Sequence, residues 1–194
     1  PYNPLEQKLG LTRHALELLS AYGFGVAVDT KSDLVSRDAD VLAEIAAQMP
    51  ALVKFSITTA DPALAARLEP GAPSPERRVA AMEQLAKAGV FTGLLLMPVL
   101  PGLTDNRENL SRLLRQTAEA GGRFCYCWPG LTMREGQREY FYQALDREFP
   151  GLREKYEKRY GARYRCTVPG AAKLYAWVRE ECSRLGLLSE MEAI

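Results

Sequence analysis

The sequence lacks the residues on which many common catalytic and metal sites depend. Its single histidine, His14, lies beside Arg13 in a stretch with helical spacing, which argues against a serine–histidine–aspartate triad and a histidine-rich zinc site. Neither GxGxxG after an apolar run nor a Walker-type GxxxxGK motif occurs, so dinucleotide and P-loop phosphate binding are not indicated. The 194 residues include only four cysteines, which argues against a disulfide-stapled secreted module and favours a reducing cytoplasm.

The net charge and the hydropathy limit the possible classes of function further. The formal net charge is +1, so bulk electrostatics give no indication of nucleic-acid or membrane binding. No apolar run approaches the roughly 18 residues of a membrane span, and no signal peptide is visible. With 47% hydrophobic and 25% charged residues, the composition is that of an ordinary globular domain with a sizeable core.

The chain begins with a helix start rather than with methionine. Asn3 is a suitable cap, Pro4 suits the first helical position, and Glu6 has the spacing that completes a capping box. Because a well-built helix start stands at Pro1 with nothing before it, we expect that upstream chain is missing. Proteolytic maturation is the alternative.

Apolar runs alternate with amphipathic segments through the first two thirds of the chain. Four runs predict buried strands, at 24–30, 52–59, 91–97 and 122–127. Helical spacing and capping residues predict helices over 4–22, 38–49, 61–68 and 74–89, one that ends near residue 120, and three more over 137–148, 150–161 and 169–185. This order predicts an α/β fold: four parallel βα units over residues 1–128, and a helical C-terminal extension over 129–194 packed on them. Because a closed eight-unit barrel needs about 250 residues, we expect part of a barrel or a small open sheet.

Candidate site residues follow from the carboxyl ends of the strands, where α/β folds bind their ligands. Lys31, directly after the first strand, suits a carboxylate or a phosphate, or it is a solvated loop lysine. Ser56 and Thr58 are two apart, so they share one face of a strand and offer hydroxyls to a ribose or an amino acid group, unless they bond within their own sheet. Met97 ends the third strand, as a cofactor contact or as core filling.

The proline-rich loop after the second strand adds charged residues. Arg78 can bind a carboxylate in bidentate fashion, and Glu69 either contacts a ligand or pairs with Arg77 or Arg78 to rigidify the loop. Cys125 and Cys127 are separated by one residue on a strand, so their thiols face the same way. That is not a usual metal spacing, and we interpret both as core residues.

Several segments, in this order, resemble the spore photoproduct lyase-like branch of the radical S-adenosylmethionine (SAM) superfamily, a lyase and DNA repair photolyase-related group. They read PYNPLE, TKSDLVSRD, FSITT, LEPGAPSPERR and MPVLPGLTDN. The resemblance covers residues 1–128 and continues more loosely to 166. It implies the C-terminal part of a partial (β/α)6 TIM-like barrel and a four-iron four-sulfur cluster on a CxxxCxxC loop. It also implies reductive cleavage of SAM to methionine and a 5′-deoxyadenosyl radical, which abstracts hydrogen from a substrate.

The resemblance also assigns roles to the candidate residues. Lys31 and Ser56 occupy positions similar to SAM-binding residues, and Thr58, on the same strand face as Ser56, is a further cofactor-binding candidate. Arg78 and Glu69 resemble the polar groups that steady the amino acid end of SAM, and Met97 lies where the family flanks the adenine. A reductant such as flavodoxin or ferredoxin and a possible nucleic-acid substrate are the implied partners, and the oligomeric state is not indicated.

The sequence departs from the family pattern in the cysteine motif that would bind the cluster. No CxxxCxxC occurs, and all four cysteines lie in the second half of the chain, so no metal ligand is expected in these residues. We expect the cluster ligands and the catalytic hydrogen-donor region upstream of Pro1, and we expect this chain alone to be inactive. The alternative is a remnant that has lost its cofactor.

Two other functions stay open. One is an iron-free barrel enzyme or binding domain for a carboxylated or phosphorylated metabolite at Lys31 and Arg78. The other is a non-catalytic nucleic-acid-binding module, which residues 134–165 favour because they hold nine Lys and Arg, six Asp and Glu, and five tyrosines.

Overall fold

A four-stranded parallel sheet forms the centre of the computed structural model, which describes residues 2–190, 192 and 194. Its strands are β1 (Val26–Thr30), β2 (Ala51–Ser56), β3 (Phe91–Leu96) and β4 (Phe124–Cys127), adjacent in sequence order. Every neighbouring pair is parallel, which confirms the predicted α/β sheet. β2 is shorter than predicted because the chain leaves the ladder after Ser56.

The helices follow the predicted βα order. They are α1 (Glu6–Leu9), α2 (Leu11–Ala21), α3 (Ala39–Ala46), α4 (Pro62–Leu68), α5 (Pro75–Lys87), α6 (Arg107–Glu119), α7 (Gln137–Glu148), α8 (Leu152–Tyr160) and α9 (Ala171–Arg184). A 3-10 helix, Asp33–Asp38, was not predicted. None of the helices in the described part of the chain is long and apolar enough to cross a membrane.

The first predicted helix, 4–22, is divided in two. Gly10 adopts a φ of +62° between α1 and α2, a left-handed conformation that glycine enters without strain. Asn3 caps α1 as predicted, since its Oδ1 accepts hydrogen bonds from the amides of Leu5 and Glu6. The predicted capping box is wrong, because the Glu6 carboxylate accepts instead from the Thr12 amide at 3.0 Å.

The two faces of the sheet differ in character. One face carries Phe55, Leu94 and Cys125, which are completely buried with Met82 and Leu85 of α5 in the main core. On the other face, Asp29 and Lys54 are register partners, and their side chains form a 2.8 Å ion pair with Asp29 about half exposed. The burial of the thiols among apolar side chains agrees with their interpretation as core residues.

The segment after β4 contains the three predicted helices and, in addition, a short antiparallel pair of strands, β5 (Gly130–Thr132) and β6 (Arg165–Thr167). α7, α8 and this strand pair share a second apolar core with the loop that follows β3. α9 behaves differently, because its Val178 and Cys182 are buried in the main core. The chain returns to the sheet at Leu188, which forms an isolated parallel bridge with Phe124.

Candidate functional site

A cavity of about 650 Å³ opens beyond the carboxyl ends of β2, β3 and β4. Its volume lies within the range of small-molecule sites. One wall brings together four of the predicted residues, Lys31, Thr58, Glu69 and Met97. Of the candidate residues, these four line the cavity, whereas Ser56 and Arg78 do not.

The charged part of this wall is built around Glu69. Lys31 Nζ lies 2.7 Å from Glu69 Oε1, and Arg78 Nη2 lies 2.6 Å from Glu69 Oε2. Two cations around one carboxylate leave an excess of one positive charge. Because the Lys31 side chain is 48% exposed whereas that of Arg78 is 1% exposed, the excess charge is available to a ligand at Lys31.

Arg78 acts beneath the cavity rather than in it. Its Nη1 donates to the Ser56 carbonyl at 2.7 Å, and its Nε donates to the Pro73 carbonyl at 2.9 Å. The guanidinium thus ties the end of β2 to the proline-rich loop and orients Glu69. Ser56 is buried at the same level and does not line the cavity. The structure therefore places Arg78 and Ser56 behind the residues that a ligand reaches.

The adjacent arginines diverge because consecutive helical residues face different directions. The Ser74 hydroxyl caps α5 and Pro75 occupies its first turn, which fixes the start of the helix. From there Arg77 points outward and donates to Asp33 on the loop after β1, with Nη2 2.6 Å from Oδ2. Arg78 points into the protein. The two arginines therefore connect the segments that follow β1 and β2 to α5.

Asn109 of α6 supports the same mouth and was missed by the sequence analysis. Its Nδ2 donates to the carbonyls of Thr58 and Thr104, both at 3.0 Å, and its Oδ1 accepts from the Ala60 amide at 2.8 Å. The Asn109 side chain therefore supplies the hydrogen bonds that the backbone ladder of the sheet no longer provides beyond β2. The only sequence signal is an asparagine three residues after the capping Asn106.

The opposite wall of the cavity is aromatic. Tyr126 lies in β4 and Trp128 follows that strand directly. Phe141, Tyr164 and Arg165 come from the segment after it. Hydrogen bonding by the Arg134 side chain, and next by the Thr132 side chain, lowers the pKa of the Tyr164 hydroxyl. Tyr126, Phe141, Tyr164 and Arg165 were missed as site residues. The mixture of basic and aromatic residues over 134–165 was the available signal.

The described residues do not form a metal site. Across 2–190, 192 and 194, no group of three or more His, Cys, Asp or Glu side chains could hold a metal ion. Burial raises the pKa of the Cys127 thiol to about 12, and hydrogen bonding with Cys182, together with burial, raises the pKa of Cys125. Protonated, buried thiols are poor ligands, so these cysteines do not fit an iron–sulfur cluster.

The radical SAM superfamily model matches residues 4–114, and the chain belongs to this superfamily. An uncharacterized protein of Mycobacterium tuberculosis is 35% identical over 160 residues, covering 82% of this chain and 47% of the relative. An uncharacterized protein of Acidianus two-tailed virus is 29% identical over 124 residues, covering 62% of this chain and 40% of the relative. The chain thus spans about half the length of the curated relatives it matches.

The fold is also similar to that of a solved enzyme. A spore photoproduct lyase variant with bound S-adenosylmethionine and dinucleoside spore photoproduct superimposes with a TM-score of 0.67 at 17% identity. The match covers 94% of this chain and 56% of that enzyme. At this identity the likeness concerns the fold, which is that of a partial radical SAM barrel.

Proposed function

We propose that this chain forms the SAM-binding and substrate-binding part of a radical SAM enzyme. The observation that carries the proposal is the convergence of Lys31, Thr58, Glu69 and Met97 on one cavity at the carboxyl ends of parallel strands. In a member of this superfamily, that is where a ligand of the parallel sheet is expected. The activity is proposed for a whole protein of the length of the curated relatives, of which this chain spans about half.

The chemistry of the wall fits SAM. Lys31 is a half-exposed cation suited to the carboxylate of the amino acid end, and Glu69 is a carboxylate suited to its ammonium group. Thr58 provides a hydroxyl for the ribose, and Met97 with Pro98 provides an apolar surface for the adenine. When bound and reduced, this cofactor supplies a radical that removes hydrogen from a substrate. The residues of this chain hold and orient it, with Arg78 fixing Glu69 from behind.

A cluster does not fit the residues described, so no step is assigned to it in this chain. In the proposal its ligands and the hydrogen donor belong to a part of the protein outside the 194 residues. A reductant such as flavodoxin or ferredoxin supplies the electron.

The aromatic wall supports a nucleic-acid substrate. Trp128, Phe141 and Tyr164 offer flat apolar faces, and Arg165 adds a cation beside them. Stacking on aromatic side chains with a neighbouring cation is how proteins bind unpaired bases. The spore photoproduct lyase variant of similar fold carries a dinucleoside ligand. We therefore propose a base within a nucleic acid as the substrate, and a lyase reaction of the DNA repair type.

The test is anaerobic reconstitution of the full-length protein with iron and sulfide, followed by incubation with SAM and dithionite. Release of 5′-deoxyadenosine, measured by chromatography, is the expected result, whereas the 194-residue chain alone should release none. A reconstituted protein that carries its cluster and yet releases none would favour the iron-free, metabolite-binding function.

A single substitution tests the assigned wall. Lys31→Met should weaken SAM binding, measured by calorimetry, by about 1.5–3 kcal/mol, the usual contribution of a hydrogen bond to a charged group. Lys87→Met is the matched control, because that lysine is 73% exposed in the last turn of α5 and pairs with Glu83. Equal affinities for the two variants would remove Lys31 from the site.

A further inference from the structure

A second cavity, of about 560 Å³, lies on the far side of the loop that follows β3. It is lined by Pro101 and Gly102 of that loop and by Tyr156 and Tyr160 of α8. We call it the α8 groove. Leu100, the neighbour of Pro101, lines the central cavity. The two cavities are therefore separated by one short loop.

The floor of the α8 groove is apolar and firmly held. The Tyr156 hydroxyl donates to the Pro101 carbonyl at 2.8 Å, and the Tyr160 hydroxyl donates to the Thr167 carbonyl at 2.7 Å. The two rings are 2% and 5% exposed and meet edge to face, with centroids 5.4 Å apart. Because both rings are buried, they support the groove from below, and the apolar surface open to it comes from Leu152 and Pro169.

The rim of the groove is cationic. Lys155, Lys158 and Arg159 line it from α8, and no carboxylate in the described part of the chain lies within 4.0 Å of them. Arg153 of the same helix contrasts with them, because it pairs with Glu139, Asp146 and Glu157. Asp105 is the acidic residue beside the groove, and its carboxylate accepts the Gly102 amide at 2.9 Å.

These three cations have no ion-pair partner in the described part of the chain, and they stand above an apolar floor. Together the two features define the chemistry of a ligand that would fit the groove. Lys155 and Arg159 are four residues apart, so they stand one above the other on the same helix face. An anion between them removes their mutual repulsion, while a flat ring attached to that anion covers Leu152 and Pro169. An anion alone meets only the first requirement, and an apolar ring alone meets only the second.

We propose that the α8 groove binds a small amphipathic anion, a planar ring that carries a phosphate or carboxylate group. The ring packs on Leu152 and Pro169, above the buried tyrosines, and the anionic group lies between Lys155 and Arg159. The site is distinct from the central cavity and does not depend on the binding of SAM.

The test uses the 15N-labelled 194-residue chain and phenyl phosphate as the probe. Saturable amide shifts should appear at Gly102 and along α8. Phenyl phosphate should bind about tenfold more tightly than phenol or inorganic phosphate, since only the whole molecule meets both requirements. Because the rim cations are exposed, added salt should weaken the binding.

Charge reversal at the rim provides the decisive comparison. The double variant K155E/R159E should lose about tenfold or more in affinity. Arg115→Glu, a reversal at an exposed arginine of α6, should leave the affinity unchanged. Circular dichroism checks that both variants fold, and the salt dependence of the unsubstituted chain gives an independent answer if the double variant does not.

Three outcomes would overturn the proposal. Shifts centred on Thr58 and Met97 would place the probe in the central cavity. Equal affinities for phenol and phenyl phosphate would make the groove an apolar cleft without an anion site. Absence of saturable shifts at millimolar probe would show that the groove does not bind this class of ligand. Each result is independent of whether the full-length protein cleaves SAM.

Discussion

The two walls of the central cavity are held in different ways. The wall that carries Lys31 and Glu69 is held by charges inside the protein, with Arg78 buried beneath them. The aromatic wall, with Tyr164 and Arg165, is held near the surface by hydrogen bonds to backbone carbonyls. The difference indicates that the first wall depends on a buried ion pair, whereas the second depends on hydrogen bonds near the surface.

Arg138 of α7 is the residue that holds the aromatic wall. Its guanidinium donates to the carbonyls of Ala162 at 2.9 Å, Arg163 at 2.8 Å and Met133 at 3.2 Å, and also to that of Gly161. These contacts fix the turn that immediately precedes Tyr164. Each wall therefore depends on one arginine, but one binds a carboxylate in the interior and the other binds carbonyls at the surface.

The largest effect is expected at the buried arginine. Arg78→Met removes one of the two cations that neutralise Glu69 and leaves the Ser56 and Pro73 carbonyls without their donor. Breaking a buried ion pair from one side costs about 3–5 kcal/mol. Urea denaturation of the 194-residue chain should show a loss of unfolding free energy in that range.

The neighbouring residue provides the control for this comparison. Arg77 forms its ion pair with Asp33 while its own side chain is 68% exposed, so Arg77→Met should cost no more than about 1 kcal/mol. Equal losses for the two variants would contradict the division between a buried anchor and a surface pair.

A smaller effect is expected at the aromatic wall. Arg138→Met removes charged hydrogen bonds to the 161–163 turn, and we expect a loss of about 1–3 kcal/mol. Hydrogen exchange should accelerate at Tyr164 and Arg165 before it changes in the main sheet. Arg147→Met on the same helix is the control, since that side chain is 69% exposed and pairs with Glu148. Unchanged exchange at the turn would show that Arg138 does not hold it.

The same contrast explains how much of the site could be predicted from the sequence. The strands and the residues that end them follow from local patterns: apolar runs of strand length, with polar residues directly after them. Lys31, Thr58 and Met97 could therefore be placed at one mouth. Arg78 was expected to bind a carboxylate of the ligand, whereas it lies buried beneath Glu69. Its burial could not be predicted, because the sequence does not show which of two adjacent arginines faces inward.

The aromatic wall shows where local patterns are insufficient. β5 and β6 have three residues each, too short for an alternating pattern to be distinguished. Tyr164 and Arg165 reach the cavity because β6 pairs with β5 across more than thirty residues of chain, and Phe141 reaches it from α7. The end of β2 was predicted too far along for a similar reason, since Asn109 takes over the backbone groups of Thr58 and Ala60.

The N-terminal segment also places a buried carboxylate, Glu6, beside an arginine, Arg37, with 3.0 Å between Oε1 and Nη2. Burial on its own would raise the pKa of Glu6, but hydrogen bonds from the Thr12 amide and the Arg37 guanidinium lower that pKa from 4.5 to about 2. The carboxylate therefore stabilises the fold fully above its unfolded pKa of about 4.3, and this contribution is lost as the pH falls towards 2. Glu6→Gln should reduce stability at neutral pH and flatten the acid side of the stability curve. An unchanged acid profile, measured by urea denaturation across this range, would contradict the assignment.

The smallest effect on stability is expected at Lys31, although it shares the carboxylate of Glu69 with Arg78. The Lys31 side chain is 48% exposed, so solvent screens its ion pair, and Arg78 continues to neutralise Glu69 when the lysine is removed. Lys31→Met should therefore change the unfolding free energy by no more than about 1 kcal/mol. The double variant with Arg78→Met should lose more than the sum of the two single changes, because Glu69 is then buried without any cation. Strict additivity in urea denaturation would show that the two cations act on Glu69 independently. The ion pairs of Lys31 and Arg78 with Glu69 would then be two separate contacts rather than one charge cluster.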